Sequence, residues 1–399
     1  MTKLFGLLGA GVGGVLAGVL LMISAQGPAS DTRATSSSTS TIPAKIAPLP
    51  ESTGDVLLAW TPHQLDPRLT AAATTLPEVQ VVAEVSSGLT NLIASHDSDG
   101  VTVDDTDPGW SIPLDAIAVD PANQAQFASV ADREAVASLG AGNALLGRTS
   151  AELRRLDIGG TIDLDSGHSV VVTGIVEDAT IGAAELAVDR ATGLTLGVDN
   201  PRYLLVAHGG DRAEVETALR RALPPDAPVR FRGLGETPYL RHGDAVLPQV
   251  RVKERFGEFA YEVPPTGGRD FAQDPEWQSE NLATRDMPVL GQMRCHRAVV
   301  DAIEGALAEV EDANLASLLD PEGFVGCWNP RLVVPGGEVS HHAWGMALDV
   351  NYDDNPTGLE SIQDPRLVEI FARWGFTWGG EWLVRDPAHF EFVRPPQPR

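Results

Sequence analysis

Ser340-His341-His342-Ala343-Trp344-Gly345-Met346-Ala347-Leu348-Asp349 and, further along, Asp386-Pro387-Ala388-His389-Phe390-Glu391-Phe392 are the two stretches that decide how the C-terminal part of this chain is read. Together they offer two imidazoles and a carboxylate. Three such N and O donors with one position left open for water is the usual composition of a catalytic zinc site, and His and Asp donors suit that ion. Strand alternation places His389 and Glu391 on one face of the second stretch and Phe390 and Phe392 on the other. The phenylalanines are therefore core, and Glu391 lies beside the ligand, where it can orient an imidazole. Asp386, three residues before His389, is placed to take a proton from the water. His341 is the alternative to His342. On an extended segment adjacent side chains point to opposite sides, so only one of the two can face the metal.

Outward from these stretches the pattern is α+β. Cys295 to Leu319 carries Val299, Ile303, Leu307, Val310 and Leu315 at the spacing of one buried helix face. Asp364-Pro365 opens a second helix with Leu367, Ile370 and Phe371 apolar before Gly375 ends it. Arg331 has a guanidinium able to donate two parallel hydrogen bonds to an oxyanion or carboxylate. Trp344 and Trp378, with Trp382, cluster near the motifs and are read as lining a cleft, with packing as the alternative.

The pattern Ser-x-His-x-x-Gly-x-Ala-x-Asp followed by Asp-x-x-His, met by Ser340, His342, Gly345, Ala347, Asp349, Asp386 and His389, resembles zinc peptidases of the D-alanyl-D-alanine carboxypeptidase, VanY and L-alanyl-D-glutamate endopeptidase group. The likeness continues through Gly326-Cys327-Trp328-Asn329-Pro330-Arg331 and Trp374-Gly375-Phe376-Thr377-Trp378-Gly379-Gly380-Glu381-Trp382. It implies a domain over 271–395 with a small antiparallel sheet. One zinc ion would be held by His342, Asp349 and His389, with Asp386 as general base, Arg331 on the scissile carbonyl or a substrate carboxylate, and Ser340 close by. The family spacing selects His342 over His341. The implied substrate is a peptidoglycan stem peptide, cut as by a carboxypeptidase or by an endopeptidase. The alternative is a non-catalytic envelope scaffold that binds cell-wall peptide.

Upstream, Val56–Trp60, Asp66–Leu76 and Val79–Val85 read as strand, helix and strand. Tyr203–Ala207, a helix capped by Asp211 and running to Leu223, and Val229–Phe231 read as a second such unit. Two β-α-β units separated by a β-rich insertion predict a split ferredoxin-like module over 55–233, its two helices on the same face of one sheet. Within the insertion, Thr161–Leu164 and Ser169–Val176 flank Asp165-Ser166-Gly167 as a hairpin. The run Leu145-Leu146-Gly147-Arg148-Thr149-Ser150-Ala151-Glu152-Leu153, with Ile158-Gly159-Gly160-Thr161 and Val171-Val172-Thr173-Gly174-Ile175-Val176, resembles the extracytoplasmic core of MacB/FtsX-type permeases. That likeness implies an interaction module with an envelope protein partner rather than transport. Residues 234–270, with several prolines and glycines and no clear period, read as a connector wrapped on one of the domains.

At 399 residues the chain needs at least two folded units. A formal charge of -26, from 55 acidic against 29 basic residues, excludes a nucleic-acid binder and electrostatic attraction to anionic lipid. Membrane association is expected from residues 4–25, an uncharged apolar stretch close to the ~20 residues a bilayer requires. It is read as an anchor, or as a cleaved signal sequence with Ala25 or Ala29 before the cut, and 26–54 as a flexible linker. The bulk of the chain is then extracytoplasmic. An oxidising compartment favours a disulfide between Cys295 and Cys327, two reduced thiols being the alternative.

Overall fold

The computed structural model describes residues 55–397. The expected membrane segment at 4–25 and linker at 26–54 lie outside these residues, and no described helix is long and apolar enough to cross a membrane. The architecture is mixed α+β.

Strand β1 (Asp55–Trp60), helix α1 (Pro67–Ala73) and the long strand β2 (Val79–His96) form the first unit. The insertion then runs through β3 (Thr102–Asp105), β4 (Trp110–Val119), α2 (Pro121–Gln124), α3 (Arg133–Ala137), β5 (Asn143–Gly147), α4 (Arg148–Arg154), β6 (Thr161–Leu164), β7 (Ser169–Val176), β8 (Leu186–Asp189) and α5 (Arg190–Leu196). Strand β9 (Pro201–His208), helix α6 (Arg212–Arg221) and β10 (Arg230–Gly233) complete the second unit. The two units interleave in the antiparallel order β10-β1-β9-β2. Helix α1 starts where the Asp66 carboxylate accepts the Arg68 N–H, and α6 where Asp211 accepts the Glu214 N–H, each satisfying an amide that has no partner within the helix. Leu69, Ala73, Val215 and Leu219 from these helices are buried with Leu57, Ala59, Leu204 and Val206, so both helices cover one face of the layer. Each leucine or valine so buried stabilises the fold by about 1.5–3 kcal/mol.

Strand β2 is long because it serves two sheets. It pairs with β9 up to Ser86, then with β4 from Ser86 to Leu92, and with β6 from Leu92 to His96. Register shifts at Val85/Ser86 and Leu92/Ala94 allow it to bend from one sheet into the other. The pairings β2-β6-β7-β5-β8-β4-β2 close a six-stranded barrel filled by residues such as Leu92, Leu114, Leu146, Ile162, Leu164, Val172 and Leu186. The β-rich insertion thus has no free edge along this ring.

The connector contains helix α7 (Gln249–Phe256) and β11 (Tyr261–Glu262), which pairs with β4. One side of α7 joins a buried ionic cluster. Lys253 Nζ and Arg154 Nη2 meet Glu185 at 2.9 and 2.8 Å and Glu258 at 2.8 and 2.7 Å. Burial alone would raise the Glu258 carboxyl, but the flanking Arg154 and Lys253 bring it down to about 2. The other side of α7 supplies Val252 and Phe256 to the C-terminal core, together with Phe259 and Tyr261. Residues from Val252 onward, in the stretch read as a connector, thus bury their apolar surface in the C-terminal core.

That core continues through α8 (Pro275–Asn281), β12 (Leu282–Met287), β13 (Gly291–His296), α9 (Arg297–Asp312), β14 (Ala347–Asp349), α10 (Pro365–Arg373), β15 (Phe376–Trp378) and β16 (His389–Phe392). Helix α9 ends at Asp312 rather than near Leu319, since Asn314 takes a left-handed φ of 56° and turns the chain. Strands β14-β16-β15 form a small antiparallel sheet, with α10 capped by Asp364 and stopped by Gly375. Cys295 and Cys327 are joined by a disulfide that ties the end of β13 to the loop before the first motif.

Candidate active site

Asp349 ends β14 and His389 begins β16, and antiparallel pairing sets the two residues opposite each other. His342 enters from a single 3-10 turn, His341–Trp344, whose start is capped by Ser340 Oγ accepting the His342 N–H at 3.4 Å. The turn closes at Gly345 with φ 67°, where an added Cβ would lie 2.8 Å from the His296 backbone nitrogen. A side chain at 345 would push this segment off β13. His342 and His389 both approach Asp349 Oδ1, by Nε2 at 3.2 Å and by Nδ1 at 3.0 Å. One donor atom from each of the three residues lies within 4.8 Å of the others, and all three residues are buried.

The other ring nitrogens are also held. His342 Nδ1 donates to the Cys327 carbonyl at 3.3 Å, and His389 Nε2 lies 3.7 Å from Glu391 Oε2. Each imidazole thus turns a defined nitrogen toward Asp349, an arrangement that fits a metal held by two neutral imidazoles and a carboxylate. Burial pushes His342 below its ordinary value. Burial would raise Asp349, but the two rings hold its carboxyl far below the usual range. Burial would lower His389, but its hydrogen bond to Asp349 and the nearby Glu391 carboxylate push it up to about 10.

Glu391, whose side chain is 1% exposed, lies 2.6 Å from His341 Nδ1 and accepts the Val246 N–H from the connector at 3.2 Å. The expectation that His341 and His342 diverge as neighbours on an extended strand is corrected in its cause. They lie on a 3-10 turn, and His341 is drawn to Glu391 while His342 faces Asp349.

Asp386 lies in the loop before β16. Its Oδ1 accepts the Thr357 hydroxyl at 2.9 Å, and its backbone N–H donates to the Gly379 carbonyl. An added Cβ at Gly379 would come within 2.6 Å of the Asp386 carbonyl oxygen and 3.3 Å of His389 Cβ, so glycine permits the close approach of the two strand ends. Arg331 is half-buried, and its Nη1 has no hydrogen-bond partner among the described residues, a donor that an anionic group would satisfy.

The tryptophans divide. Trp344 is fully buried and donates to the Gly257 carbonyl, the turn directing it inward against Phe259, so it packs as core. Trp378 packs on the core and donates to the Pro387 carbonyl at 2.7 Å, bracing the loop before His389. Trp382 has its ring 5.1 Å from that of His389 and is the aromatic wall of the site. Sequence reasoning missed Thr357 and Val246. Neither carries a local pattern, and each reaches the site by tertiary contact alone.

The profile of a family described as D-alanyl-D-alanine carboxypeptidase matches residues 335–392, which span both motifs. Peptidoglycan L-alanyl-D-glutamate endopeptidase CwlK of Bacillus subtilis (strain 168) is 30% identical over 145 residues, covering 83% of that protein and 30% of this chain. The chain belongs to this peptidase family through its C-terminal region. Among solved structures, the periplasmic region of MacB from Actinobacillus actinomycetemcomitans is similar at 12% identity and a TM-score of 0.32, over 46% of this chain and 93% of that one. The extracellular domain of the noncanonic ABC-type transporter YknZ from Gram-positive bacteria is similar at 11% identity and a TM-score of 0.27, over 45% and 100% respectively.

Proposed function

We propose that this protein is a zinc-dependent peptidase that hydrolyses peptidoglycan stem peptides outside the cytoplasm. The observation that carries the reading is the convergence of His342, Asp349 and His389, with the outer nitrogen of His342 bonded to the Cys327 carbonyl and that of His389 facing Glu391. A zinc ion held there would supply, when bound, a water of lowered pKa and a positive charge for the scissile carbonyl. Asp386 takes the proton of the attacking water and returns it to the leaving nitrogen, with Thr357 fixing the orientation of its carboxylate. Arg331 offers its unpartnered Nη1 to the carbonyl oxygen or to a stem-peptide carboxylate. Trp382 covers one side of His389 and limits water. The disulfide supports an oxidising, extracytoplasmic location. The module over 55–233 is read as an envelope interaction module.

The activity for which the Bacillus relative is named makes the L-alanyl-D-glutamyl bond the first to test, and the terminal D-alanyl bond the second. Muropeptides incubated with zinc-loaded protein and resolved by mass spectrometry should show one of these two cleavages. Asp386→Asn should retain zinc and lower kcat by ~10²–10⁴-fold. An inactive wild type with full zinc occupancy, or an Asp386→Asn variant of undiminished rate, defeats the reading.

A further inference from the structure

Strand β10 and a loop remote from it in the chain meet at the carboxylate of Asp244, whose side chain is 5% exposed. Its Oδ1 accepts from Arg230 and, at 2.6 Å, from Arg232, both on β10 of the N-terminal module. Its Oδ2 accepts the backbone N–H of Leu383 at 2.6 Å, in the loop between β15 and β16. Arg230 reaches on to the Glu381 carbonyl of the same loop at 3.0 Å. Arg232 is itself fixed by the carbonyls of Arg241 and Gly243, at 3.1 and 2.6 Å. The Leu383 side chain packs with Leu240 against the core of the N-terminal module. The module, with Asp244 of the connector clamped to its β10, therefore grips residues 381–383 through two polar contacts and one apolar contact.

This loop carries Trp382, beside His389, and Asp386. Within the C-terminal domain its backbone is tied mainly to Gly379, which accepts from Trp382 and Asp386, and to Gly358, which donates to Arg385. The ligand residues Asp349 and His389, by contrast, are locked in a sheet. A carboxylate between two guanidiniums in a buried pocket has little freedom, so its remaining oxygen offers a fixed acceptor for the loop.

We propose that Asp244 is a positioning residue for the peptidase site, through which the N-terminal module holds the loop that presents Asp386 and Trp382 to the His342–Asp349–His389 cluster. This rests on the function proposed above. Displacing a proton-transfer group by ~1 Å can cost ~10²-fold in rate. The module is on this account a working part of the catalytic unit.

The test uses the full chain with Asp244→Ala and Asp244→Asn. Asp244→Ala should lose ~10- to 100-fold in kcat with KM and zinc content unchanged. Asp244→Asn, whose amide oxygen still accepts the Leu383 N–H, should recover part of this. In an Asp386→Asn background, Asp244→Ala should cost less than about threefold, because the group it positions is already gone. A wild-type kcat in Asp244→Ala, or the same factor in both backgrounds, overturns the proposal. A second readout is independent of turnover. Hydrogen exchange at the Leu383 amide should rise at least about tenfold in Asp244→Ala while the β16 amides keep their protection. Unchanged exchange at Leu383, or equal loss in β16, overturns it as well. If the wild type cleaves no stem peptide, the proposed function fails, and the exchange measurement still decides the positioning role.

Discussion

Glu391 Oε2 lies 2.6 Å from His341 Nδ1, and the Glu391 side chain is 1% exposed. Burial would raise this carboxyl, but His341, with His389 behind it, holds it well below the usual carboxylate range. The ionised group then faces the outer nitrogen of His389 and fixes which nitrogen that ring turns toward Asp349. Glu391→Gln keeps the shape and removes the charge. It should weaken zinc binding by ~10- to 100-fold, measured by competition with a chromophoric chelator. Unaltered affinity would show that His389 is oriented by other contacts.

The cluster of Arg154, Glu185, Lys253 and Glu258 joins the barrel to helix α7, and three of its four side chains are fully buried. Deleting one member leaves its partners charged in a low-dielectric site. Arg154→Met should cost about 3–5 kcal/mol in urea denaturation. Because α7 also builds the C-terminal core, both parts should lose structure in one transition. A cost below about 1 kcal/mol, or two separate transitions, would contradict this coupling.

Asp115 on β4 is partly exposed, yet burial raises its carboxyl from 3.8 to about 7, with Arg241 and Arg202 opposing and Glu338 and Glu185 adding to the rise. In the pH range between these values the folded state binds a proton that the unfolded chain has released. The contribution is complete below about 3.8 and is lost as pH rises through about 7. Asp115→Asn imitates the protonated form. It should be nearly neutral near pH 4 and stabilising by about 2 kcal/mol near pH 8, read from urea midpoints at each pH. A difference that does not grow with pH counts against the burial argument.

The sequence by itself determined the parts of this protein that depend on local geometry. Alternation along β16 directs His389 and Glu391 to the site and Phe390 and Phe392 to the core, because a strand sends neighbouring side chains to opposite faces. The capped helices and the paired β-α-β units follow from turn chemistry and apolar period in the same way. Tertiary structure alone decided what distant surfaces do to one another. It closed the barrel through β2, drew Trp344 into the core, turned His341 toward Glu391, and brought Thr357 to Asp386, Val246 to Glu391 and Asp244 to Leu383 across long stretches of chain. Helix α7 reads as a connector in isolation, and becomes part of the peptidase core because burying Val252 and Phe256 against it removes apolar surface from water, an energy that no local pattern records.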